Sequence, residues 1–139
     1  MSEKQQKKKD TRNAESMERL ILADGRYPLD AYAFLHDALA SAVKKVHGDE
    51  PAEPGQRHVS GADLCLALRD AAIDRWGMLA RTVLRKWNVN STLDFGQMVY
   101  LLVDNNFMQK TDDDSLEDFR DVYDFGKAFD IRATFELKE

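Results

Sequence analysis

Three serines in this chain are each followed, three residues on, by an aspartate at the head of an apolar run: Ser60 with Asp63, Ser91 with Asp94, and Ser115 with Asp118. A serine hydroxyl at a helix N-cap accepts a backbone N–H that would otherwise lack a partner, and the carboxylate can reach back to the cap's own N–H. Aspartate is a shorter arm than the usual Glu or Gln, but the logic is the same. Local chemistry therefore fixes three helix starts, and a chain punctuated in this way is a helical bundle. The boxes carry no reactivity.

Helical spacing fills in the rest. Residues 14–24 carry Met17, Leu20, Ile21 and Ala23 and stop at Gly25. Pro28 opens a second helix that runs to His47 before Gly48, with Tyr32, Leu35, Leu39, Ala42 and Val46 on one stripe. Two prolines, two glycines and three acids make residues 48–57 a surface loop. From Gly61 to Trp76, Leu64, Leu68 and Ala71 lie on one face and Leu66 and Ile73 nearly opposite, which predicts a central helix covered on both sides. Residues 78–87 turn Leu79, Ala80, Val83, Leu84 and Trp87 inward, and Ser91 caps a helix whose core face is Phe95, Met98, Val99, Leu102 and Val103.

The last third is less regular. Leu116, Phe119, Val122 and Tyr123 fit a helical spacing, while Phe119 through Phe125 also resembles an extended stretch. In residues 131–138, Ile131, Ala133, Phe135 and Leu137 alternate with polar side chains at the period of a half-buried strand. Its partner would be 107–110, 57–59 or another molecule. The expected fold is mainly α: a compact bundle of five to six helices with a small β element that includes a C-terminal strand. Residues 1–13 are expected as a disordered basic tail and 14–139 as a single helical domain.

Charge narrows the partners. Residues 1–13 hold five cations against two acids, although the whole chain is at −5; residues 104–124 hold eight acids against Lys110 and Arg120. An acidic body repels phosphate backbones. No apolar stretch approaches a membrane span, and the N-terminus has no apolar segment behind its lysines, so the cytoplasm is the expected location and no membrane is involved. Cys65 is the only cysteine, which excludes an intramolecular disulfide and reads as a small buried hydrophobe.

Reactive constellations are missing. From Asp112, the sixth and twelfth positions are Glu117 and Tyr123 instead of the glycine and glutamate of a calcium loop. His36 and His47 stand about 16 Å apart along one helix, too far to share a metal. No nucleophile elbow or phosphate-binding glycine loop occurs. No catalytic, cofactor-binding or metal-ligating residue is therefore assigned, and no cofactor is expected. Trp76 and Trp87, among Arg69, Arg75, Arg81, Arg85 and Lys86, form the one basic and aromatic concentration. Structurally the tryptophans are core anchors. Functionally Arg69, Arg75, Trp76, Arg81, Arg85 and Lys86 are the candidate interaction surface.

Two resemblances bear on the whole. The segments Arg26-Tyr-Pro-Leu-Asp-Ala-Tyr-Ala-Phe34, His58-Val-Ser-Gly-Ala-Asp-Leu64, Val83-Leu-Arg-Lys-Trp87, Thr92-Leu-Asp-Phe-Gly96 and Asp114-Ser-Leu-Glu-Asp-Phe119, then Tyr123-Asp-Phe125 ahead of Phe129, occur in a characteristic order. This resembles a family of short hypothetical proteins from planctomycetes and verrucomicrobia, over about three quarters of the chain. The resemblance implies a compact bacterial domain and brings no activity, cofactor or substrate. The order of elements in 78–125 also looks like a winged helix-turn-helix, with the helix from Thr92 to Asn105 in the recognition position. That helix contains no Lys or Arg, and the would-be wing carries Asp112, Asp113, Asp114 and Glu117. Both features work against DNA.

The function expected is a non-enzymatic cytoplasmic protein-interaction or regulatory domain. Its partner is an unidentified protein, or a second copy through the C-terminal strand. The alternative is a winged-helix-like nucleic-acid binder. A third reading is an enzyme with a site assembled from distant residues, His58 with Asp118 or Asp121.

Overall fold

A computed structural model describes residues 3–48 and 58–130, with side chains from residue 11 onward. Six helices follow in order: α1 (Glu3–Asp24), α2 (Leu29–His47), α3 (Gly61–Trp76), α4 (Ala80–Lys86), α5 (Thr92–Asp104) and α6 (Phe125–Ala128). Among the described residues, 3-10 turns also occur at Gly77–Leu79 and Leu116–Phe119. The mainly helical class is as expected.

The serine boxes act as local chemistry requires, with one difference among them. At Ser91 and Ser115 both arms form, the serine side chain meeting the third residue's N–H and the aspartate returning to the cap's N–H. Ser60 accepts from the Asp63 N–H at 3.1 Å, and Asp63 does not reach back. Gly48 at φ +75° and Gly77 at φ +52° stop α2 and α3 in a backbone region that side chains disfavour. Asn88 and Asn106 take similar angles at the ends of α4 and α5.

α2 and α3 lie antiparallel. Asp37, midway along α2, bonds Arg75 near the end of α3, while Val43, further along α2, shares a cavity with Leu64 and Gly61 at the start of α3. Leu35, Leu68, Leu84, Val89, Phe95 and Met98 form the sealed centre of the core. Cys65 is buried there as a free thiol, and burial pushes it up to about 12. It packs as a hydrophobe.

Several expectations need correction. The basic stretch 1–13, expected to be disordered, is helical from Glu3 onward. The helix is anchored at Ile21, which is buried in the core. Val46, at 49% exposure, lies beyond the end of the core, and Ala31, Phe34 and Ala38 take up burial on a broader face of α2. Leu66 is 39% exposed, so α3 is covered on one side and part of its opposite face meets solvent. Leu79, at 64% exposed, falls on the 3-10 turn after Gly77, which rotates it out of the inward stripe.

The small β element and the wing are absent among the described residues, where no strand occurs. Between residues 111 and 120, several backbone donors are taken up within successive turns. Thr111 N–H goes to Asp114, Asp114 N–H to the Thr111 carbonyl, Ser115 N–H to Asp118, and Arg120 N–H to the Glu117 carbonyl. Side chains that capture neighbouring N–H groups leave no ladder for a strand. The alternating segment 131–138 lies outside the described residues, as does most of the 48–57 loop.

Candidate functional site

The expected interaction surface is largely tied down by its own fold. Trp76 packs on Phe34 at 4.9 Å between ring centroids and meets Trp87 edge-on at 5.3 Å. Both tryptophans belong to the edge of the core. Arg75 bonds Asp37 at 2.9 Å and lies over the Phe34 ring, Arg69 bonds Asp70 and lies over Tyr123, and Arg81 lies over Phe125. Burial, then Arg85, lowers the Arg81 pKa. Arg85 and Lys86 are exposed in the last turn of α4, where cations complement the helix dipole. The six residues do not converge on one free patch.

A cleft of about 320 Å³ is the feature that sequence reasoning missed. Four elements enclose it: Leu39 and Val43 from α2, Gly61 and Leu64 from α3, Val99 and Val103 from α5, and Met108 and Phe119 from the last irregular segment. Val59 closes the end beside the N-terminus of α3. An apolar floor with a few polar groups at its edge is the usual character of a binding cavity.

The edge is built from His58, Asp114, Asp118, Tyr100 and Lys110. His58 Nε2 lies 3.0 Å from Asp114 Oδ1. A carboxylate here can only accept, so Nε2 carries the proton, and in the neutral ring Nδ1 is an acceptor. Asp114 Oδ2 accepts from the Thr111 N–H at 2.8 Å and the Thr111 hydroxyl at 3.1 Å. Asp114 is thus held from three sides, with its side chain only 17% exposed. Burial, followed by Asp114 and Asp118, raises the Tyr100 pKa. His47 Nε2 donates to the His58 carbonyl at 2.6 Å, clasping the end of α2 to the start of the 58–60 segment.

The histidine pairing differs from the two expected. Asp118 shares the cleft with His58, but its carboxylate closes the Ser115 cap. Asp121 is exposed at φ +50° and is not among the residues that line the cleft. Among the described residues, no group of three or more His, Cys, Asp or Glu side chains is placed to hold a metal ion.

Two glycines and a threonine make the wall possible. A Cβ on Gly61 would come within 2.9 Å of the Phe119 ring, and one on Gly96 within 2.7 Å of Phe119 Cβ and Cγ. Phe119 therefore sits where α3 and α5 have no side chains. Thr92, 1% exposed, donates to the Phe119 carbonyl at 2.6 Å and accepts from the Val122 N–H at 3.2 Å. Tyr123 donates to the Cys65 carbonyl at 2.7 Å, fixing the same segment to α3. A mid-helix glycine at 96 was the one sequence signal for this close approach.

No family model, curated protein or solved structure matches the chain. Among the described residues no helix is long and apolar enough to cross a membrane.

Proposed function

We propose that this chain is a non-enzymatic binding domain of the cytoplasm, taking an apolar group into the cleft between α2, α3, α5 and Phe119. One observation carries the reading. An open, largely apolar cavity of about 320 Å³ lies beside a sealed core, and at its edge Asp114 and Asp118 are each engaged through one oxygen in a turn and a cap. An apolar cleft of this size with a few polar groups at its edge has the usual form of a small-molecule site. The test is an amide chemical-shift titration of the full chain with n-octanol. Saturable shifts confined to Val99, Val103, Met108 and their neighbours support the reading, and Val103→Trp, which fills the space, removes them. No saturable shift at the cleft overturns it.

One observation favours a second reading, that of an enzyme: the His58–Asp114 pair, in which the carboxylate orients the ring and leaves Nδ1 as a base. In that case His58→Gln abolishes turnover of a bound substrate without weakening its binding. The nucleic-acid alternative now rests on the order of α4 and α5 alone; a gel shift with no retardation at low salt ends it. Self-association through residues 131–138, and kinship with the planctomycete and verrucomicrobial family, are offered as proposals on the sequence patterns given above.

A further inference from the structure

The edge of the cleft is asymmetric in its chemistry. His58 donates its Nε2 proton to Asp114, and in the neutral form of the ring Nδ1 is an acceptor. Asp118 spends Oδ2 on the Ser115 N–H, which leaves Oδ1 as an anionic acceptor. Asp114, Asp118 and Asp104 all act on the Tyr100 hydroxyl in the cleft wall, so the field there is negative. Lys110 is the one lysine or arginine among the lining residues; it is exposed, on a flexible stem that can extend into water.

From this we infer that the cleft selects a small amphiphilic primary amine, whose hydrocarbon part fills the apolar floor while its ammonium is held by Asp118 and His58. The inference rests on the apolar-cleft reading above. An ammonium is a three-fold donor with no acceptor, which matches a carboxylate oxygen and an unprotonated imidazole nitrogen. A carboxylate ligand would meet Asp118 head-on, and an alcohol would gain no charge-assisted bond. Volume separates a small molecule from a folded partner. At about 30 Å³ for each water's share of liquid, the space equals roughly ten waters, enough for a short hydrocarbon chain but not for a helix. The cavity lies at the small end of ligand sites, about 300–1,000 Å³.

The experiment extends the amide titration to three ligands of equal chain length: n-octylammonium, n-octanol and octanoate. Octylammonium is expected to bind about tenfold tighter than octanol, the effect of one charge-assisted bond, with octanoate weakest. In Asp118→Asn, which keeps a carbonyl oxygen for the Ser115 cap, the amine's advantage falls to about twofold or less while octanol affinity is unchanged. Lys110→Gln increases it. Equal binding of amine and alcohol overturns the amine preference and leaves the apolar cleft standing. Tightest binding by octanoate overturns it in favour of an anion held by Lys110. Failure of all three ligands refutes the cleft reading as well.

Discussion

Two hydroxyl deletions should change stability in opposite directions, and the structure gives the reason. The Thr92 hydroxyl is buried and bridges the Phe119 carbonyl and the Val122 N–H. Thr92→Val keeps the shape and leaves both backbone groups without a partner. At about 1–3 kcal/mol for each buried group so stranded, the loss is about 2–6 kcal/mol. Tyr32 presents the reverse case. Its ring is 6% exposed, and its buried hydroxyl lacks a protein partner among the described residues. Tyr32→Phe removes a desolvated group that nothing repays and should stabilise the chain by about 1 kcal/mol. Urea unfolding, followed through the fluorescence of Trp76 and Trp87, measures both. With a slope of about 2 kcal/mol/M, a 3 kcal/mol loss moves the midpoint down by about 1.5 M. Thr92→Ser, which retains the hydroxyl, should recover most of the loss. A neutral Thr92→Val, or a Tyr32→Phe that destabilises, would refute the assignment of these two groups.

Gly96→Ala should cost about 1–3 kcal/mol despite alanine's better helix propensity, because its methyl meets Phe119; a thermal melt reads it, and a gain in stability would mean the ring is not seated there. Trp76→Ala should cost about 3 kcal/mol by emptying its contacts with Phe34 and Trp87, whereas Arg85→Ala and Lys86→Ala should stay within about 0.5 kcal/mol; urea midpoints distinguish anchor from surface. Alkaline pH should unfold the chain. Burial holds Cys65 and Tyr32 at about 12 and raises Tyr27 and Tyr123 further, so the native state keeps protons that the unfolded state releases from about pH 8.5 to 10. Stability is full below that window and declines as pH rises through it toward 12. Absorbance at 295 nm should show these tyrosines ionising together with loss of helical circular dichroism, and free titration at pH 10 in a folded chain would contradict their burial.

Helix boundaries were legible because caps and stops are local. Ser60, Ser91, Gly48 and Gly77 act within a turn of themselves, and the starts of α3 and α5 fall where those residues place them. Ser115 shows the limit of that logic. Its box forms in full, yet it begins only a single 3-10 turn, because Arg120 is already extended and the chain turns back onto Thr92. Side-chain stripes were less reliable at element ends, as Val46 and Leu79 show. The cleft could not be read from the sequence at all. Its lining spans residues 39 to 119 and depends on an absence of side chains at Gly61 and Gly96, a property of spacing between elements that no periodicity records.

The clasp between His47 and the carbonyl of His58 closes a circuit of chain at its neck. Lengthening the chain between two points already joined adds a closure cost of about 0.6 kcal/mol for each doubling. An insertion between His47 and His58 is thus closed at its neck by a bond that the insertion does not break. A reporter peptide spliced there should leave the melting temperature nearly unchanged, provided His47 stays in place to hold the neck.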